Sequence, residues 1–215
     1  MIKNIIIAFL SIVSIILIYE WDISQQYSVF PMWWIVYLIR NKIQKEVDKI
    51  PLKFSFILVA VFFGLLTEFF AILNNINTPY GERILLHQNF FIDFMFALVY
   101  YPYFMIIYYF IIRKYRFSKL AVFSIFWLFW VMTEEVGQVF VRLIMNFDIV
   151  YAIVVFFVYG IFAHLGYFFT KHKFDKLDRI KPGFKSYVLI FFVLLFTYLF
   201  YWLFIYNTMM SIVWE

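Results

Sequence analysis

Long apolar runs alternate with short charged segments along the chain. Runs near residues 3–20, 53–74, 88–112, 118–142, 148–170 and 185–206 match the ~20 mostly apolar residues that a helix needs to cross a hydrocarbon core. A shorter run, YSVFPMWWIVYLIR at 27–40, has Pro31 placed for a first helical turn and Trp33 and Trp34 placed as interfacial anchors, so it is read as a seventh span. Beyond it Ile43, Val47 and Ile50 recur at four and three residues, the spacing of an amphipathic helix lying on the membrane surface. The first run opens like a signal peptide. No small-residue cleavage motif follows it, so it is expected to be a retained span. The pattern predicts an all-α fold: a polytopic integral membrane helix bundle of about seven transmembrane helices, in one domain over residues 1–215.

Composition strengthens this expectation. The chain is 66% hydrophobic and 14% charged with a mean hydropathy of +0.89, whereas soluble domains run near ~45–50% and ~25%. The net charge of +5 does not imply nucleic acid, because the basic residues sit in short segments between apolar runs. Sixteen of the 18 Lys and Arg fall at Lys3 or within 40–53, 113–119 and 171–185. By the positive-inside rule that side is cytoplasmic, which places the N-terminus inside, the C-terminus outside and the chain in the cytoplasmic membrane as a multi-pass protein. The absence of cysteine excludes thiolate catalysis, disulfides and cysteine metal sites.

Against this apolar background, Glu134 and Glu135 interrupt WLFWVMTEEVGQVFVRL. At 100° per residue, Glu134, Glu135, Gln138 and Arg142 form one polar face about 100° wide. Carboxylates facing lipid cost ~2.5–3.5 kcal/mol each even on insertion scales, so this face is expected to turn inward or toward water. The run at 53–74 supplies a matching face of Ala60, Gly64, Glu68 and Ala71, with Asn75 at its end, where small residues admit a close neighbour. The next run offers Asn89, Asp93, Ala97 and Tyr100, followed by Pro102, which is expected to kink the helix.

All these groups lie in the outer half of the expected bundle. Four carboxylates face Arg142, with Arg83 available from the outer loop. They cannot all stay ionised in a dry site, so either some are protonated, or a cation binds, or a water-filled vestibule opens to the outside. His87 is a candidate to join Asp93 and a glutamate around a metal, and His164 is either a proton relay or a histidine bonded to a tyrosine or carbonyl. Phe63-Gly64-Leu65-Leu66-Thr67-Glu68 also parallels Phe129-Trp130-Val131-Met132-Thr133-Glu134, as in a parallel repeat of two helix pairs.

Several chemistries are excluded. The stretch 186–215 has no lysine for retinal, and Val139 stands where an EExxxR intramembrane protease needs arginine. No GxSxG, HExxH or Walker motif occurs. Glu68, Asp93 with the following Tyr101-Pro102, and Glu134-Glu135 two spans after Glu68 resemble the pattern of uncharacterised small multi-spanning membrane proteins of low-GC Gram-positive bacteria. The resemblance covers roughly 55–175 and implies no activity.

The expected function is binding or translocation of a cation, a proton or a small cationic solute through an outward-facing carboxylate cluster, without a cofactor. Two alternatives use the same residues. One is an intramembrane enzyme acting on a lipid or isoprenoid, whose carboxylic acids protonate an alkene beside aromatic faces. The other is a non-catalytic subunit paired with another membrane protein. The expected partners are the lipid bilayer, a cation or small solute, and such a membrane protein, but not nucleic acid.

Overall fold

In this computed structural model the described residues are 29–83, 85, 87–133, 144, 145 and 149–214, with Ile5, Ala8, Phe9, Ser11, Ile12, Val13 and Ile16 from the N-terminal run. Among them every regular element is helical. In order they are α1 (Val29–Asp48), α2 (Leu52–Asn74), α3 (Phe90–Lys114), α4 (Lys119–Thr133), α5 (Ile149–Phe174), α6 (Phe184–Phe200), a π-helical turn (Tyr201–Tyr206) and α7 (Asn207–Trp214). Among the described residues three helical stretches are long and apolar enough to cross a membrane: α2, α3 and the continuous rod Phe184–Ile212.

Each of these three leaves an apolar stripe exposed. On α2 it is Phe54, Leu58, Phe62 and Phe69; on α3, Phe91, Met95, Leu98, Ile106 and Phe110; on the rod, Leu189, Phe192, Phe196, Leu199 and Leu203. Steps of mostly three or four residues put each set on one helical face, and apolar patches of that extent call for a non-aqueous neighbour.

The bundle is organised around α5, which packs against α2, α4 and α1, while α2 also packs on α3. Glycines set the closeness of these contacts. A Cβ on Gly166 would lie 2.8 Å from Ala60 Cβ and 3.1 Å from the Phe56 carbonyl oxygen, so α5 and α2 approach backbone to backbone. Gly160 lets the Phe123 ring of α4 lie directly on α5. Pro102 sits inside α3, which runs on to Lys114.

Two expectations about the helices change. The run at 27–40 does not end before a separate surface helix: α1 is unbroken to Asp48. No Gly or Pro follows Pro31 until Pro51, and the far end of α1 is held by α5. There Gln44 Nε2 donates to the Phe169 carbonyl at 2.9 Å, and Lys173 Nζ donates to the Val47 and Ile50 carbonyls at 2.6 Å each. The lysine thereby reaches a carbonyl in the last turn of α1, where a helix C-terminus leaves acceptors open. Trp33 is also no simple interfacial anchor, because it stacks on Phe123 with ring centroids 6.1 Å apart. The span expected over 118–142 is helical to Thr133, and residues 134–143 lie outside the described residues.

The basic segments meet at one end of the bundle. The backbone N–H of Arg116 donates to the Ile180 carbonyl at 2.9 Å, and that of Ile180 to the Lys114 carbonyl at 3.0 Å. Beneath this bridge the Arg179 side chain is 1% exposed. Its Nη1 lies 3.4 Å from the Ile112 carbonyl, 3.5 Å from that of Tyr115 and 3.4 Å from the Tyr167 hydroxyl, and its Nη2 donates to Asp175 Oδ1 at 2.7 Å. A cation over the last carbonyls of α3 also complements that helix's dipole.

Candidate functional site

The described part of the site lies at the opposite end, where α2 runs into the 75–89 loop and the chain returns as α3. Glu68 is 9% exposed and stands six residues before the end of α2, about 9 Å along the axis at ~1.5 Å per residue. It shares the buried face of α2 with Ala60, Gly64 and Thr67, in keeping with the small-residue stripe. Opposite Gly64 lies the ring of Tyr101, which a Cβ at residue 64 would meet at 2.6 Å. With nothing there, the ring lies flat on α2 and its hydroxyl donates to Glu68 Oε2 at 3.0 Å. Glycine, tyrosine and carboxylate form one device spanning two helices.

Asp93 is 0% exposed and occupies the first turn of α3. Its Oδ1 accepts from the backbone N–H of His87 at 3.0 Å, so the carboxylate ties the loop to the helix where the positive end of the dipole favours it. The His87 ring does not turn to a metal through Nδ1, which accepts from the Asn89 N–H at 2.9 Å. Its ring packs edge-on against Phe96. Among the described residues no three His, Asp or Glu come together as a metal site.

Asn89 departs from its expected place on the interior face. It is exposed and caps α3, its side chain accepting from the Phe91 and Ile92 N–H groups at 3.0 and 3.3 Å. Asn75 ends α2, its Nδ2 donating to the Ala71 carbonyl at 2.9 Å. Arg83 is not directed at the carboxylates. Its Nε donates to the Thr78 carbonyl at 3.0 Å and its Nη1 to that of Gln88 at 2.7 Å, and it covers the Phe90 ring at 4.0 Å. The 75–89 loop consumes its own cation, because a short turn with many open carbonyls needs internal donors.

Tyr100 lies 5.2 Å from Trp130, 4.9 Å from Phe104 and 5.0 Å from Tyr201, measured between ring centroids. Tyr201 opens the π-helical turn and is 0% exposed, and its hydroxyl makes no hydrogen bond among the described residues. Burying a hydroxyl without a partner costs ~1–3 kcal/mol, and π turns often occur beside functional sites.

Glu134, Glu135, Gln138 and Arg142 lie outside the described residues. In the described residues just before them, Thr133 Oγ1 donates to the Phe129 carbonyl at 2.9 Å, as Thr67 Oγ1 does to the Phe63 carbonyl, but Thr170 and Thr197 make the same bond, so it does not single out the proposed repeat.

His164 stands apart from these groups. Its Nδ1 lies 3.3 Å from the Lys119 carbonyl, and its ring meets Trp33 and Phe123 edge-on. This is the carbonyl-bonded arrangement among the two expected for it.

Sequence reasoning named Tyr101 only as a marker before Pro102. The signal that reveals its role is the glycine one helix turn before Glu68, on the same face. No family model, curated protein or solved structure matches the chain.

Proposed function

We propose that the chain is a seven-span protein of the cytoplasmic membrane, N-terminus inside and C-terminus outside, that takes up a proton or small cation from the outer face through buried carboxylates. The membrane reading draws support from the three apolar helices and their exposed stripes. The orientation draws support from the basic segments, since 113–117 and 171–181 bond to each other and to the end of α1. Cysteines placed at Lys45, Lys114 and Lys176 of this cysteine-free chain are expected to stay shielded from an impermeant thiol reagent in intact cells, and one at Glu82 to react. Outside labelling of all three lysine positions would reverse the orientation.

The observation that carries the function is Glu68, a carboxyl buried in an apolar helix and held by the Tyr101 hydroxyl. Packing alone is served more cheaply by an apolar residue, because a buried carboxyl carries a desolvation cost that hydrogen bonds offset in part and that protonation or a cation relieves further. In proteoliposomes, Glu68→Gln is expected to abolish pH- or cation-dependent binding while the protein still inserts. Tyr101→Phe should weaken binding about tenfold, roughly the worth of one hydrogen bond to a charged group. Full binding by Glu68→Gln, with only a lower unfolding midpoint, would leave Glu68 a packing residue.

A further inference from the structure

A second polar site lies at the basic end, away from the carboxylates. A cleft of about 370 Å³ opens between α1, α4 and α5, lined by Arg40, Asp48, Lys119, Lys171, His172 and Asp175. Its two carboxylates are already engaged. Asp48 Oδ1 accepts from Gln44 Nε2 at 2.9 Å and meets His172 Nε2 at 2.9 Å, while Asp175 pairs with Lys171 and Arg179.

Two cations remain. Arg40 donates Nη1 to the Tyr37 carbonyl at 2.7 Å and stacks on the Tyr37 ring at 4.1 Å, which fixes the guanidinium and leaves the rest of its fork open to the cleft. Lys119 Nζ rests 4.1 Å from the centre of the Phe168 ring. Neither has a carboxylate partner among the described residues. The cleft therefore holds an oriented arginine fork and a lysine, both anchored by aromatic rings, beside carboxylates already engaged by other groups.

We propose that this cleft binds a phosphate group, supplied by the headgroup of an anionic phospholipid. Arginine forks match phosphate oxygens in pairs, and a lysine beside them adds a point charge. A phosphate would have Arg40 and Lys119 as its direct partners, with Gln44 and His172 also lining the cleft. The lipid source is favoured by what flanks the two cations: Ile39 is 43% exposed and Leu120 70% exposed. Each apolar side chain is the chain neighbour of a cation, so acyl chains can lie against them while the headgroup enters. Basic pockets between helices at the inner surface are a known way to hold anionic headgroups.

The test uses the purified full chain in neutral detergent micelles. Phosphatidylglycerol, phosphatidylcholine, inorganic phosphate and glycerol phosphate are each titrated, with retention read by native mass spectrometry and the shift in unfolding midpoint. Phosphatidylglycerol is expected to bind and stabilise, and phosphatidylcholine is not. Arg40→Gln with Lys119→Gln should weaken phosphatidylglycerol binding about 30-fold, a factor of about five for each basic residue.

Asn41→Glu is an exposed change that adds a carboxylate to the wall without removing any contact in the core. It should weaken the same binding and keep the fold even if the double change does not. Binding of inorganic phosphate or glycerol phosphate that depends on the same residues, without preference for the lipid, would uphold the phosphate site and replace its source. Equal binding of both lipids, or phosphatidylglycerol binding untouched by all three substitutions, would overturn the proposal.

Discussion

Arg179→Met lowers the stability of the folded protein by about 2–4 kcal/mol, one of the two largest losses expected from a single change. Its guanidinium covers two carbonyls at the end of α3 and the Asp175 carboxylate. Methionine keeps much of the volume but strands the carbonyls, each worth ~1–3 kcal/mol when buried without a donor. The contacts to the carbonyls are long, which holds the estimate below that of a fully dry ion pair. Asp175 contributes less to the loss, because its side chain is 32% exposed and Lys171 still reaches it.

The same pair has an acid signature. Burial pushes the Asp175 carboxyl up, but the hydrogen bond and charge of Lys171, with the charges of Arg179 and Arg116, outweigh it and hold the carboxyl below its ordinary value. A depressed carboxyl stabilises the fold above its unfolded pKa, and that contribution disappears as pH falls through the lower folded value. Unfolding midpoints of the wild type in detergent should therefore drop below about pH 4. Asp175→Asn should lack that part of the drop. An Arg179→Met protein with an unchanged midpoint would mean that the loops close without it.

Gly166→Leu is expected to cost about 3 kcal/mol or more, and Gly166→Ala about 1–3 kcal/mol. Alanine in a helix interior ordinarily gains up to ~1 kcal/mol over glycine. At Gly166 the gain is overrun, because the new Cβ meets Ala60 Cβ and a backbone carbonyl, and neither can swing aside. Gly64→Ala makes the informative contrast. There the obstacle is the Tyr101 ring, which can rotate away, but rotation carries its hydroxyl off Glu68. Gly166→Ala should lower the unfolding midpoint with binding intact in the folded fraction. Gly64→Ala should weaken proton or cation binding with a smaller loss of stability. The reverse order would separate Tyr101 from the site.

How far the residues themselves announced this structure differs from place to place. The apolar runs over 53–74, 88–112 and 185–206 match α2, α3 and α6 with its π turn closely, because twenty apolar residues without a breaker have few other outcomes. The inward face of α2 was legible too, since glycine and alanine at helical spacing around a glutamate admit one explanation. What stayed hidden depends on partners far along the chain. Asn89 and Arg83 look like members of a polar site until the loop shows them holding its own backbone. Lys173 and Arg179 counted only as inside charges, although each caps another helix, a pairing over more than sixty residues that no local pattern encodes. The end of α1 is a related case: Val47 and Ile50 at helical spacing suggested a surface helix, and the α5 carbonyl and lysine that hold this end are 125 and 126 residues away.

Those distant caps also set an order of events during synthesis. The carbonyls at the ends of α1 and α3 are completed by Lys173 and Arg179, residues made only after the whole of α1 to α4 has been synthesised. Until then both ends must be satisfied by water. Contacts of such long range close slowly, since the loops between them carry the entropic cost first. The basic end of the bundle is therefore the last to fasten. A chain stopped short of residue 173 would lack both caps, leaving the carbonyls at the ends of α1 and α3 open.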